Sequence, residues 1–124
     1  MKKKIICKSA PAAIGPYSQA IEANGTVYVA GQLPMNPATG EIPEGITAQT
    51  GQVLENIRAI VTEAGGSMDN VVKCAVYLKD FNDFAQMNET YVKFFNEPYP
   101  ARLCFEVARL PKDARVEIDA IAVL

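Results

Sequence analysis

A strand with two unlike faces is predicted by the stretch Pro100-Ala101-Arg102-Leu103-Cys104-Phe105-Glu106-Val107-Ala108-Arg109-Leu110-Pro111. Its alternate apolar positions are Leu103, Phe105 and Val107. The positions between them carry an arginine, a thiol and a carboxylate: Arg102, Cys104 and Glu106. A period of two is typical of a half-buried strand. We therefore expect the apolar set to face a core and the set that includes Arg102 to lie on the opposite face.

The next strand, residues 115–123, repeats this pattern. Its small and apolar positions are Val116, Ile118, Ala120 and Ala122. Between them stand Arg115, Glu117 and Asp119. In each of the two closing strands the ionisable residues alternate with the apolar ones. This predicts one polar face that includes both Arg102 and Glu117.

Two helices and a strand are predicted before this pair. Residues 46–64 show an apolar stripe at helical spacing, and Gly65-Gly66 is a typical left-handed stop. Residues 71–78 alternate as a strand. Residues 81–96 form a second helical pattern, with Asp80 as its N-cap.

The N-terminal third reads as strands and loops. Asn24-Gly25 suits the positive φ angles of a type I′ turn and predicts a hairpin of residues 17–23 and 26–31. Residues 4–8 form a short candidate strand. The proline- and glycine-rich residues 32–45 are a long loop, which either carries or covers a site or is a plain surface excursion.

This element order predicts a single α+β domain spanning residues 1–124. Right-handed crossovers would place both helices on one face of a mixed sheet of five or six strands. The other face, with Arg102 and Glu117 among small and apolar residues, is left without a cover. A face of that kind is commonly buried against copies of itself, so we expect a homo-oligomer.

Composition narrows the chemistry. The chain has 124 residues, a net charge of −2 and no histidine. Triads that need histidine and histidine-ligated metals are excluded, and no glycine-rich phosphate loop is present. The charge balance gives no reason to expect nucleic acid, and no stretch is long and apolar enough to predict a membrane span. Three separated cysteines favour free thiols in the cytoplasm.

Four residues are candidates for a site. Arg102 offers a planar fork for a carboxylate or phosphate, or else forms an ion pair across strands or between subunits, with Glu117 or Glu106. Glu117 is a general acid/base if desolvated, or again a structural ion-pair partner. Cys104 is a nucleophile or a small buried hydrophobe. Tyr17 lines a pocket or packs at a strand start.

Several motifs together resemble the RidA/YjgF family of reactive enamine/imine deaminases, over essentially the whole chain. They are Ile14-Gly15-Pro16-Tyr17-Ser18-Gln19-Ala20, Val29-Ala30-Gly31-Gln32-Leu33-Pro34, Pro100-Ala101-Arg102, Glu106-Val107-Ala108-Arg109-Leu110-Pro111-Lys112-Asp113 and Val116-Glu117-Ile118. The resemblance implies a chorismate-mutase-like fold. It further implies a homotrimer around a central barrel, with clefts between subunits. The implied activity is the hydrolysis of 2-aminoacrylate and related enamines to 2-keto acids and ammonia, without metal or cofactor.

The resemblance also assigns roles by motif. Arg102 would hold the substrate carboxylate, and Glu117 would position the attacking water and relay a proton. Backbone groups of Gly31 and Cys104 would contact the substrate. Tyr17 of a neighbouring subunit would help close the pocket, and Asn88 would lie near the cleft.

Leu103 and Ala30 depart from the family pattern, in which small hydroxylated residues are frequent at both positions. By alternation Leu103 should point into the core with little effect on chemistry, whereas Ala30 could alter substrate preference. Three rival functions stay open: a module that only binds a small carboxylate, a holdase or other protein-interaction role, and a ribonuclease.

Overall fold

The computed structural model describes all 124 residues and has six strands and two α-helices. The strands are β1 (Lys3–Ile5), β2 (Ala20–Ala23), β3 (Thr26–Gln32), β4 (Val71–Leu78), β5 (Ala101–Glu106) and β6 (Val116–Val123). The helices are α1 (Ile46–Glu63) and α2 (Phe84–Tyr91). Short 3₁₀ turns occupy Met68–Asn70, Phe81–Asp83, Val92–Phe94 and Pro111–Asp113.

The strands form one mixed sheet in the order β1-β2-β3-β6-β4-β5. Only β4 and β5 pair in parallel, and α2 makes the crossover between them. Both helices pack on the same face, where α1 contacts β3, β6 and α2. The predicted α+β domain, with two helices on one face of a mixed sheet, is confirmed.

The β2–β3 hairpin turns where the sequence predicts. Asn24 and Gly25 have φ angles of 52° and 79°, and the turn pairs Ala23 with Thr26. The first strand of the hairpin begins only at Ala20, because the chain turns just before it, with the Tyr17 N–H bonded to the Gly15 carbonyl at 2.8 Å. The buried Gln19 amide bonds the Cys7 N–H and carbonyl and also reaches the Ala10 and Pro11 carbonyls.

Helix α1 matches its predicted bounds to within one residue, and its buried stripe forms the centre of the core. Leu54, Ile57 and Ile60 are fully buried. The helix ends at a left-handed Gly65, with φ of 99°. The N–H groups of Gly65 and Gly66 close the last turn on the Thr62 and Val61 carbonyls.

The second predicted helix is interrupted. Asp80 caps it, with its Oδ1 accepting from the Asn82 N–H at 2.9 Å. Only Phe84–Tyr91 is α-helical, and a 3₁₀ turn on each side, Phe81–Asp83 and Val92–Phe94, extends the helical segment.

The predicted facing of β5 is wrong. Arg102 pairs in register with the fully buried Cys74 of β4, and Cys104 pairs with the fully buried Val76. Arg102 and Cys104 therefore point to the helix-covered face. Phe105 lies on the open face, where its ring meets that of Tyr77 at 5.8 Å.

The physical reason is that alternation shows which residues share a face but not which face is inside. β5 is an edge strand, and the uncovered face of the sheet is itself partly apolar. Leu103 consequently lies with Phe105 on the open face and not in the core. Glu117 does lie on the open face as predicted, because its register partner is Tyr77.

The long loop between β3 and α1 is pinned to the helix by two buried amides. Asn56 donates to the Leu33 and Met35 carbonyls at 3.1 and 3.0 Å, and Gln49 donates to the Pro43 carbonyl at 3.0 Å. The loop thus forms a fixed wall. None of the helices combines the length and hydropathy needed to cross a bilayer.

Candidate functional site

Arg102 is held at the sheet edge by one face of α2. Its Nη1 donates to Asn88 Oδ1 at 2.7 Å. Its guanidinium carbon lies 4.7 Å from the ring centre of Tyr91 and 5.6 Å from that of Phe84. Residues 84, 88 and 91 recur at the spacing of one helical stripe. The arginine is therefore seated on a surface made by a single helix.

No carboxylate neutralises this arginine. None of the three ion pairs of the chain includes Arg102. Glu106 instead accepts a hydrogen bond from the Phe81 N–H at 2.9 Å, and Glu117 lies on the opposite face of the sheet. The expected alternative of a cross-strand ion pair is thus wrong within one chain. A half-buried guanidinium with free donors is left available to an anion from outside.

The free side of Arg102 faces a cavity of about 460 Å³. Its lining residues are Asn88, Tyr91, Val92, Tyr99, Pro100 and Arg102. One cation and one amide among aromatic and aliphatic walls is the composition expected of a site for a small organic acid.

Cys104 lies on the same face as Arg102, two residues along β5. Burial raises the pKa of its thiol, and the nearby Arg102 opposes that rise. A thiol whose pKa is raised is a poor nucleophile at neutral pH. The nucleophilic alternative is therefore not favoured.

The backbone of Cys104 lies at the free edge of the sheet. The Val107 N–H bonds the Leu78 carbonyl of β4 at 2.9 Å. Alternate residues of a strand point their N–H and C=O groups to the same side. Phe105 and Leu103 then bond β4, while the N–H and C=O of Cys104 point outward. This places backbone donors and acceptors where a bound molecule can reach them.

A second group of predicted residues gathers around Glu117. The carboxylate of Glu117 lies directly against Gly31, where a side chain larger than hydrogen would overlap Oε2. Gly31 is in β3, at a register shift between Val29 and Gln32. The absence of a side chain at Gly31 therefore makes room for the Glu117 carboxylate.

Burial is the main cause that raises the pKa of Glu117, and the like charge of Asp119 adds to it. Asp119 accepts a hydrogen bond from the Tyr77 hydroxyl at 3.1 Å. A carboxyl group tuned towards neutrality is suited to proton transfer at physiological pH.

Tyr17 belongs to this second group. It is half exposed at 53%. With Gly31, Met35, Lys112 and other residues it lines a cavity of about 240 Å³. The loop after β3 thus contributes to the walls of a candidate site.

The two groups do not meet in one chain. Arg102, Asn88 and Cys104 lie on the helix face, whereas Glu117 points to the open face. Strand β4 separates β5 from β6, and two strand spacings amount to about 10 Å. One small molecule therefore cannot contact Arg102 and Glu117 of the same chain.

The sequence did not predict that the rings of Phe84 and Tyr91 in α2 contact Arg102. It assigned the apolar stripe of the second helix to core packing, and Tyr91 is indeed buried at 6%. The available signal was Asn88, a polar residue within the stripe Phe84, Asn88 and Tyr91.

Comparison with known proteins agrees with the whole fold. The model of the family described as endoribonuclease L-PSP matches residues 7–124. A RutC family protein of Pyrococcus horikoshii is 57% identical, over 98% of each chain. The 2-iminobutanoate/2-iminopropanoate deaminase of Escherichia coli is 51% identical, over 99% of this chain and 98% of that one.

A solved structure gives the same result. The crystal structure of Escherichia coli TdcF with bound serine matches with a TM-score of 0.94 at 48% identity, over 98% of each chain. The family model and these relatives span nearly every residue described above. This chain therefore belongs to the RidA/YjgF family.

Proposed function

We propose that the protein is a 2-iminobutanoate/2-iminopropanoate deaminase, which hydrolyses reactive enamines and imines such as 2-aminoacrylate to 2-keto acids and ammonia. The observation that carries the proposal is Arg102, half-buried in a cavity and without a carboxylate partner. The Escherichia coli deaminase at 51% identity supports it. The bound serine of TdcF, a small molecule with a carboxylate, supports the same class of ligand.

The proposed reaction needs few catalytic groups. An enamine tautomerises to an imine, water adds to the carbon of the C=N bond, and the resulting carbinolamine releases ammonia to leave the 2-keto acid. The chain has to orient the substrate and move one proton from the water toward the departing nitrogen. Neither task requires histidine.

Arg102 is proposed to bind the substrate carboxylate through its free N–H donors. Two parallel hydrogen bonds from a guanidinium fix both position and direction. The outward backbone groups of Cys104 can contact the same substrate, and Asn88 keeps the guanidinium in place.

Glu117 is proposed as the proton relay that positions the attacking water, with Gly31 beside it. Its raised pKa brings the carboxyl group nearer to the pH at which it must both accept and return a proton. Tyr17 of a neighbouring subunit is proposed to help close the pocket around Arg102.

The division of these residues between two faces supports a site between chains. Arg102 of one copy and Glu117 of another would meet only in an assembly, and the partly apolar open face offers the surface for one. Tyr28 and Phe105 are about half exposed there, at 51% and 49%. We therefore propose the homotrimer with clefts between subunits. Free Cys7, Cys74 and Cys104 support a reducing compartment such as the cytoplasm.

A coupled assay tests the proposal. A serine dehydratase generates 2-aminoacrylate, and pyruvate formation is followed with and without the protein. We expect acceleration over the uncatalysed rate. Arg102→Ala should lower kcat/KM roughly a hundredfold or more, since hydrogen bonds to charged groups contribute about 1.5–3 kcal/mol each. Light scattering should show the same assembly.

Arg58→Ala is the matched control, because Arg58 is an exposed arginine of α1 whose one ion pair is with Glu55 and which lies outside the cavity. No acceleration by the wild-type protein would overturn the deaminase proposal. Binding of 2-oxobutanoate without acceleration would identify a carboxylate-binding module instead. Full activity of Arg102→Ala would show that the anchor is wrongly assigned.

Ribonuclease activity is the second candidate, because the family description names an endoribonuclease. The net charge of −2 and the lack of histidine speak against it. Incubation with single-stranded RNA decides the question. Cleavage that persists in both Arg102→Ala and Glu117→Gln after repurification would reveal a contaminant, whereas its loss in either variant would support the rival function.

A further inference from the structure

We infer that Tyr91 is a positioning residue for Arg102: its ring holds the guanidinium so that the remaining N–H donors point into the cavity. The inference rests on the proposed role of Arg102 as carboxylate anchor and extends it to a residue that the motif comparison did not assign.

A group that holds Arg102 in place must not compete with the substrate for its N–H donors, and the Tyr91 ring meets this requirement. An arginine side chain is long and flexible, and fixing it on binding has an entropic cost. A carboxylate neighbour would hold it but would also occupy the donors that the substrate needs. The face of an aromatic ring attracts a cation and leaves its in-plane donors free. The distance of 4.7 Å from Arg102 to the Tyr91 ring fits such a contact.

The ring itself is firmly placed. Tyr91 is 6% exposed, and its ring centre lies 4.7 Å from that of Phe95. Cys74, the register partner of Arg102, lies beneath it in the core. A ring supported in this way can fix a neighbour that a solvent-exposed ring could not.

The hydroxyl is not the group that acts. It is buried beside the Cys74 thiol, and it has no hydrogen bond of good geometry. Asn88 supplies the directional contact with the guanidinium at 2.7 Å. Helix α2 thus holds the guanidinium by two contacts, the face of the Tyr91 ring and the hydrogen bond to Asn88.

Side-chain NMR tests the inference without reference to activity. In the wild-type protein the Arg102 Nε–H signal, assigned through Arg102→Lys, should be shifted by the ring current and exchange slowly with water. Tyr91→Phe should keep both features, and Tyr91→Leu should reduce both, leaving the smaller ring-current shift from Phe84 at 5.6 Å. An unshifted, rapidly exchanging signal in the wild-type protein would overturn the inference even if no variant folded.

Binding and kinetics give the functional measure. For Tyr91→Leu we expect the Kd for 2-oxobutanoate and the KM for 2-aminoacrylate to rise roughly five- to thirtyfold, the range of a partly desolvated cation–π contact. The kcat should stay within about twofold, because the lost interaction serves binding in ground and transition states alike. Tyr91→Phe should match the wild type.

Phe94→Leu is the matched control, since Phe94 carries a similar pair with Arg58 at 4.8 Å, outside the cavity. An equal rise in KM for this control would refute a specific role for Tyr91. An equal loss in Tyr91→Phe would mean that the hydroxyl acts and not the ring. If Tyr91→Leu does not fold, Tyr91→Met is measured with the same expectations.

These experiments distinguish failure of the proposed deaminase function from failure of the positioning role of Tyr91. If the wild-type protein gives no acceleration, the deaminase is refuted, while the Arg102 signal and 2-oxobutanoate binding still support or overturn the positioning role. If acceleration is seen but Tyr91→Leu leaves KM, Kd and the Arg102 signal unchanged, only the positioning role is refuted.

Discussion

The contact between Gly31 and Glu117 provides a direct test of the proposed proton relay. In Gly31→Ala the added Cβ would overlap Oε2 of Glu117, whereas Cδ at 3.1 Å and Cγ at 3.5 Å need little or no movement. Only the terminal oxygens must rotate away, and the terminal torsion of a glutamate is broad and soft. The expected loss of folding stability is therefore small, below about 1 kcal/mol.

The expected loss of activity is much larger. Restoring an ordinary contact moves the carboxylate oxygen by about 1 Å, and a displacement of that size can reduce a reaction rate roughly a hundredfold. We predict that kcat/KM for 2-aminoacrylate falls by this factor while Tm changes by only a few degrees. The coupled assay and calorimetry measure the two quantities on the same preparation.

A double-mutant cycle identifies the cause. If Gly31→Ala acts by displacing Glu117, it should have little further effect on the residual activity of Glu117→Gln. An undiminished effect in that background would refute the reasoning and indicate that the Gly31 backbone itself contacts the substrate. Gly51→Ala is the matched control, because its added Cβ would lie 3.9 Å from Thr90, in ordinary contact, and Gly51 lines neither cavity. Full activity of Gly31→Ala would refute the placement of Glu117.

Three further predictions concern pH and stability. The pKa of Glu117 is higher in the folded chain than in the unfolded chain, so ionisation of Glu117 destabilises the fold as pH rises through that pKa. Glu117→Gln should therefore raise Tm at pH 7 but not at pH 3. The same variant should lower kcat at least a hundredfold, because it removes the proposed proton relay. Asp119→Asn removes the like charge and should lower the pKa of Glu117, which would shift the acid limb of the kcat/KM profile to lower pH; an unmoved limb would contradict this. Asn56→Leu leaves the Leu33 and Met35 carbonyls without their buried donor and should cost roughly 2–3 kcal/mol in urea unfolding, with an unchanged m-value.

Local signals in the sequence predicted the elements well. Asn24-Gly25, Gly65-Gly66 and Asp80 act within a few residues, through positive φ angles or a side-chain cap, and each does in the structure what its chemistry predicts. The sequence did not predict the contacts by which the buried Gln19 amide joins the Cys7 backbone to the start of the hairpin. Such a contact spans twelve residues and leaves no periodic trace.

The sequence names the candidate site residues but does not predict their arrangement. Motif resemblance named Arg102, Glu117, Gly31, Tyr17 and Asn88 together. Alternation then put the arginine and the glutamate on one polar face, and that was wrong. The error has a physical origin: both faces of the sheet need apolar cover, one from the helices and one from elsewhere, so period two does not tell them apart.

The corrected facing strengthens the case for a shared site. Had Arg102 and Glu117 shared a face, an ion pair within the chain would have been a sufficient explanation for both. On opposite faces, neither can neutralise the other, and the rings of α2 hold the arginine without neutralising it. A half-buried cation and a half-buried carboxyl are costly to keep unpaired. In the proposed assembly, a substrate carboxylate would reduce that cost at Arg102, and Glu117 of a second copy of the chain would reach the same substrate.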